Sequence, residues 1–114
     1  MTETLYLLPG WSFDAAAFDP LRECLEAEGL ACRAAPLPGH GGRPDPAPAD
    51  WAGLAAAALE DAPAGAVWVG WSLGGSVALE ALRRGAAARG VVLIAATPRF
   101  TATSGWPWAV PEIG

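Results

Sequence analysis

The sequence predicts an α/β domain built on a mostly parallel, doubly wound sheet with helices on both faces. Two observations carry this. First, the runs "LYLL" (residues 5–8), "AVWVG" (66–70) and "VVLIA" (91–95) are apolar without polar alternation, as strands covered on both faces are. Second, segments with helical spacing separate them, in the order strand–helix–strand–helix–strand–helix–strand. Composition agrees. At 114 residues, 53% hydrophobic and 17% charged, the chain suits a single core-forming domain over 1–114 and not a disordered segment.

The elements follow in order. The run 5–8 is a strand, stopped by Pro9-Gly10. A loop and entry turn lead into a helix over 14–28, with Asp19 as N-cap, Pro20 at N1, Phe18, Leu21 and Leu25 at helical spacing, and Gly29 just past the end. Residues 30–36 form a weaker strand running into the turn "LPGHGG" (37–42), and the proline-rich 43–49 is a connector. Asp50 caps a helix containing Trp51, Leu54, Ala58 and Leu59, closing near Pro63. The strand 66–70 and the helix 73–84 follow with almost nothing between them, and 91–95 is the last strand. Residues 97–114 show no periodicity.

Charge and motifs narrow the function. A net charge of −5 offers no basic stripe for nucleic acid and disfavours anionic membranes. No apolar run is long enough to span a bilayer, and Met1-Thr2-Glu3-Thr4 lacks the basic start of a secretory leader, so a cytoplasmic location is expected. Cys24 and Cys32 lack metal-type spacing and are expected to be reduced, mostly buried thiols. Neither a P-loop nor a dinucleotide fingerprint occurs, and no metal or cofactor is expected.

The chemistry lies in "GWSLG", residues 70–74, a G-x-S-x-G pentapeptide between a strand and a helix. In that context Ser72 sits on a sharp turn as a candidate nucleophile. Side chains at Gly70 and Gly74 would clash where strand and helix approach. The N–H of Leu73, at the helix N-terminus, can form half of an oxyanion hole. The other half is expected from the loop after the first strand, Pro9-Gly10-Trp11-Ser12, with Trp11 N–H as donor. The lone histidine, His40, precedes Ser72 in a glycine-rich turn, whereas the base of this arrangement follows its nucleophile along the chain. His40 is therefore read as structural. Asp45, Asp50, Asp61 and Glu80 are read as connector, cap or solvated charges, and Arg83 and Arg84 as favouring their helix dipole.

With these residues in place, the stretches "LLPGWSFDAAAF", "LPGHGGRP", "WVGWSLGGSVALEAL" and "VVLIAATPRFTA…GWPWAV" resemble the α/β-hydrolase superfamily, and within it the esterases that cleave pimeloyl-[acyl-carrier protein] methyl ester in biotin synthesis. The resemblance implies an α/β-hydrolase fold with Ser72 as nucleophile, and Trp11 and Leu73 as oxyanion and substrate contacts. It implies an acyl ester substrate carried on acyl-carrier protein. Pro9 stands where many such hydrolases carry His, a variant known in this group. The resemblance also implies that the chain stops short of the C-terminal strands, with a helical lid beginning near 98–114, and that the acid and base lie in the part that follows. Two functions are thus expected: a serine carboxylesterase acting through an acyl-enzyme on Ser72, with another esterase or a thioesterase as its variant, or a truncated, non-catalytic or partner-dependent fragment.

Overall fold

The computed structural model describes residues 3–38, 40, 50–99 and 102–108. Four parallel strands, β1 (Thr4–Leu8), β2 (Ala31–Ala34), β3 (Val67–Trp71) and β4 (Gly90–Ile94), form one sheet in the order β2-β1-β3-β4. A short 3₁₀ turn (Ala15–Phe18) and helix α1 (Asp19–Ala27) follow β1, α2 (Trp51–Asp61) precedes β3, and α3 (Leu73–Arg83) joins β3 to β4.

In β1 and β3 the apolar runs make strands because alternate side chains find different apolar layers, whereas residues 91–94 of β4 stay 38–48% exposed. From β1, Tyr6 and Leu8 enter a core with Trp68 of β3 and Ala55, Ala58, Val77, Ala78 and Ala81 of α2 and α3. Leu7 enters a smaller core on the opposite face with Phe18 and Val69, against which Leu5 and Trp71 pack. Helices thus cover both faces, α2 and α3 on one, the 3₁₀ turn and α1 on the other. Alanines on α2 and α3 bring the helices close, and the large rings fill the gap: Tyr6 and Trp68 meet edge to face at 5.1 Å, and the Tyr6 hydroxyl donates to Ala58 O at 2.6 Å.

Two local expectations are corrected. The helix expected over 14–28 is broken, and Asp19 is its first residue, not its cap. Asp14 takes the capping role, accepting from Ala16 N at 2.9 Å. The cause is Pro20, which has no N–H to return to Ala16 O; Asp19 N–H donates there instead and closes a 3₁₀ turn. Cys24 is exposed and Cys32 half-buried, so the thiols are free but not mostly buried. On α1 the half-buried positions are Arg22 and Leu25, and Cys24 falls off that line. Burial raises the Cys32 thiol pKa above its ordinary value, with Glu26 adding to the rise. By contrast, Gly29 ends α1 at φ +88° and Asp50 caps α2 through Gly53 N at 2.8 Å, both as expected.

The turn residues Gly39, Gly41 and Gly42, the connector 43–49 with Asp45, and much of the expected lid start (100–101 and 109–114) lie outside the described residues. Within 102–108, Thr103 and Trp106 form an isolated antiparallel bridge. Among the described residues, no helix is long and apolar enough to cross a membrane.

Candidate active site

The strand order places the site. After β1 the chain turns to β2 on one side; after β2 it crosses to β3 on the other. The loops leaving β1 and β3 therefore run to opposite faces, and the crevice between them opens at the carboxyl ends of the strands, where ligands of such sheets bind. The β1 loop carries Trp11 and the β3 turn carries Ser72.

Ser72 stands at φ +53°, ψ −117°, a region that strongly favours glycine. Such a conformation costs about 1–3 kcal/mol and persists only where the surroundings impose it. Three hydrogen bonds do so. Ser72 N–H donates to Ile94 O at 2.9 Å, and Ser72 O accepts from Gly75 N at 2.9 Å and Ser76 N at 3.3 Å. Its side chain makes no cap bond to the helix, which leaves the hydroxyl uncommitted to α3. Ser12 (φ +71°) and Ala95 (φ +48°) are the other non-glycine residues of positive φ among the described residues. All three follow strands β1, β3 and β4 at the same end of the sheet.

The glycines make the turn possible. A Cβ on Gly70 would overlap the backbone of Gly75, lying 2.5 Å from its nitrogen. One on Gly74 would overlap Leu8 and stand 2.6 Å from Pro9 O, and one on Gly75 would overlap Ala96 Cβ. Reading the pentapeptide alone misses Gly75; the second glycine of "GWSLGG" was the available signal. Ser76, 6% exposed, donates from Oγ to Thr97 O at 2.7 Å and ties α3 to the segment after β4.

Both candidate oxyanion donors meet this turn. Leu73 is the first residue of α3, so its N–H has no acceptor within the helix and lies at the positive dipole end. Gly10 is buried, and a Cβ built on it would stand 3.4 Å from Ser72 Cβ, so the backbone that leads into Trp11 abuts the serine. The Trp11 residue itself is 72% exposed. Beside it, Phe13 and Trp71 meet with ring centroids 4.7 Å apart, and Phe18 meets Trp71 edge to face at 6.4 Å. Phe13 and Trp71 were not singled out in the sequence, although Trp71 occupies the variable position directly before the serine.

The remaining expectations separate from the site. His40 Nδ1 lies 2.9 Å from Pro38 O and the His40 backbone N–H donates to Leu37 O at 3.0 Å, both within its own turn, and no hydrogen bond joins it to Ser72. Asp61 pairs with Arg33 at 3.9 Å. Glu80 receives Arg83 and Arg84 at 2.6 and 2.8 Å, and these hydrogen bonds hold its carboxyl down at about 2. Arg83 and Arg84 thus engage a carboxylate as well as the helix dipole. A cavity of about 460 Å³ runs along this stripe of α3, from Ser76 to Arg83, with Trp51 and Arg99 opposite; neither Ser72 nor Trp11 lines it. Among the described residues, no three His, Cys, Asp or Glu side chains gather as metal ligands would.

A family model described as "Alpha/beta hydrolase family" matches residues 5–114. The pimeloyl-[acyl-carrier protein] methyl ester esterase of Xanthomonas campestris pv. campestris (strain B100) is 45% identical over 107 residues, which cover 93% of this chain and 42% of that protein. The enzyme of the same name from Stenotrophomonas maltophilia (strain K279a) is 41% identical over 107 residues, covering 93% and 40%. An esterase from Exiguobacterium antarcticum superimposes with a TM-score of 0.80 at 23% identity, covering 96% of this chain and 44% of that one; this likeness is one of fold. The chain spans less than half the length of the curated relatives it matches.

Proposed function

The chain belongs to the alpha/beta hydrolase family, and from that premise we propose that it is the nucleophile-bearing, N-terminal part of a serine carboxylesterase. The observation that carries the proposal is Ser72, held at φ +53° between β3 and α3 and abutted by the β1 loop. We propose as substrate the methyl ester of pimeloyl-[acyl-carrier protein], in biotin synthesis. The printed names of relatives 41–45% identical over nearly all of this chain support it. Such a carrier-bound substrate suits a cytoplasmic enzyme.

In this reading Ser72 Oγ attacks the ester carbonyl carbon while its proton passes to a base. The oxyanion takes hydrogen bonds from Leu73 N–H and Trp11 N–H, each worth roughly 3 kcal/mol of barrier in a working hydrolase. Collapse expels methanol with that proton and leaves an acyl ester on Ser72. Water, deprotonated by the same base, attacks the acyl ester and releases the free acid and the serine. The base is needed because a serine hydroxyl at neutral pH is a weak nucleophile. His40, bound within its own turn, does not supply it. We place the base and its partner acid outside these 114 residues. The same observation favours a second reading for the chain by itself: a non-catalytic or partner-dependent unit.

The test is methanol release from methyl-pimeloyl acyl-carrier protein by the whole protein that carries this sequence, isolated from its own cells. Turnover that falls at least about 10³-fold in Ser72→Ala supports the proposal. Undiminished turnover in that variant overturns it.

A further inference from the structure

Beyond the nucleophile and its donors, the β1 loop holds a strained residue to which the esterase reading gives no part. Ser12, at φ +71°, follows Trp11 directly. It is exposed, and its hydroxyl makes no hydrogen bond among the described residues. Its side chain therefore does not account for its conformation. The backbone does. Phe13 N–H donates to Gly10 O at 3.2 Å and closes a four-residue turn over 10–13. Ser12 takes the third place of that turn, and Trp11, in the second, is not among the residues of positive φ. That is the pattern of a type II turn, whose third place requires positive φ.

The closing bond fixes more than the turn. Gly10 O and the Trp11 N–H belong to one planar, trans peptide and point in opposite directions. With Gly10 O drawn inward to Phe13, the Trp11 N–H is turned outward, and it makes no hydrogen bond among the described residues. The turn also rests on the nucleophile's own turn at both ends. A Cβ on Gly10 would stand 3.4 Å from Ser72 Cβ and from the Trp71 ring. Phe13, which donates the closing bond, sets its ring on Trp71 at 4.7 Å.

We propose that Ser12 is a positioning residue for the oxyanion site: its left-handed backbone keeps the turn closed and so holds the Trp11 N–H where the ester oxyanion forms. The inference rests on the esterase reading. It makes backbone conformation, not the hydroxyl, the property that matters at position 12. Glycine reaches positive φ freely, whereas a β-branched residue resists it. A β-branched residue here opens the turn and lets the 10–11 peptide rotate, which moves the donor away from the oxyanion. The donor acts in the transition state and not on the bound ester, so kcat falls while KM holds.

The test uses the whole protein that carries this sequence, with p-nitrophenyl butyrate as the ester and kcat and KM read separately. Three variants separate backbone from hydroxyl. Ser12→Gly loses the hydroxyl and accepts the turn; Ser12→Thr keeps a hydroxyl and resists the turn; Ser12→Val lacks the hydroxyl and resists it. Position 12 is exposed, so all three are expected to fold, and rates are read below each melting temperature. The expected result is kcat lowered roughly 10- to 100-fold in Ser12→Thr and Ser12→Val, approaching the loss of one oxyanion donor. KM is expected to stay within about twofold throughout, and kcat of Ser12→Gly within about twofold of the parent. Hydrolysis that depends on Ser72 but is untouched in both Ser12→Thr and Ser12→Val overturns the proposal alone, as does kcat kept in Ser12→Thr and lost in Ser12→Gly. Hydrolysis indifferent to Ser72→Ala overturns the esterase reading and this proposal with it.

Discussion

Ser72 pays for its position with backbone strain. At φ +53° and ψ −117° a glycine would sit with less strain, so Ser72→Gly is expected to stabilise the fold by about 1 kcal/mol while removing the hydroxyl. Thermal unfolding checks this; a lower melting temperature in Ser72→Gly would show that no strain is stored there. Gly70 and Gly74 give a second prediction. Their missing Cβ atoms are backbone contacts, so neither site can yield by moving a flexible side chain. Gly70→Val and Gly74→Val are expected to prevent folding. Gly90→Ala serves as the control, because its Cβ would meet nothing nearer than the Val67 methyls at 3.9 Å. Circular dichroism melts of the three separate the outcomes, and unchanged melting in both valine variants removes the turn assignment. These residues were legible in "GWSLGG" because steric demands at a strand-to-helix turn restrict residue type sharply. Phe13 and Trp71 were not legible as a pair, since their contact depends on how the β1 loop folds back, which no spacing encodes.

Among the elements, the strands were read to within a residue or two, because an apolar run bounded by turn residues admits few registers. The entry to α1 was misread. The Asp-Pro signal is real, but Asp14 offers an earlier cap, and a proline without its N–H turns the junction into a 3₁₀ turn. The last turn of α3 gives a pH prediction. Glu80 is held at about 2 by hydrogen bonds from Arg83 and Arg84, below its ordinary 4.5. A carboxyl whose pKa is depressed on folding contributes stability above its unfolded value, and that contribution fades as pH falls from about 4.5 towards 2. Glu80→Gln is therefore expected to melt slightly lower than the parent at pH 7 and to converge with it near pH 2. The gap is expected to be small and to shrink with added salt, as for any solvent-screened pair. A gap that persists at pH 2 would assign the effect to packing instead.

At the scale of the whole chain, β4 forms one edge of the four-stranded sheet among the described residues. Val91, Val92, Leu93 and Ile94 are each 38–48% exposed, an apolar edge strand of the kind that pairs with other chains. The 114-residue chain is expected to associate as its concentration rises, and Val92→Lys to reduce that association. Light scattering over a concentration series decides; a monodisperse monomer throughout would show that the edge is protected. The fold class was legible because parallel strands covered on both faces leave continuous apolar runs. The position of the crevice was not, since strand order is a property of the assembled sheet.

Ser72 is the proposed nucleophile of an ester hydrolase, and its reactivity can be read directly. The whole protein that carries this sequence, isolated from its own cells, is treated with a fluorophosphonate that modifies activated serines, followed by peptide mass spectrometry. A single adduct is expected on the peptide carrying Ser72, absent in Ser72→Ala together with ester hydrolysis. Hydrolysis that persists with Ser72 unmodified or replaced would contradict it.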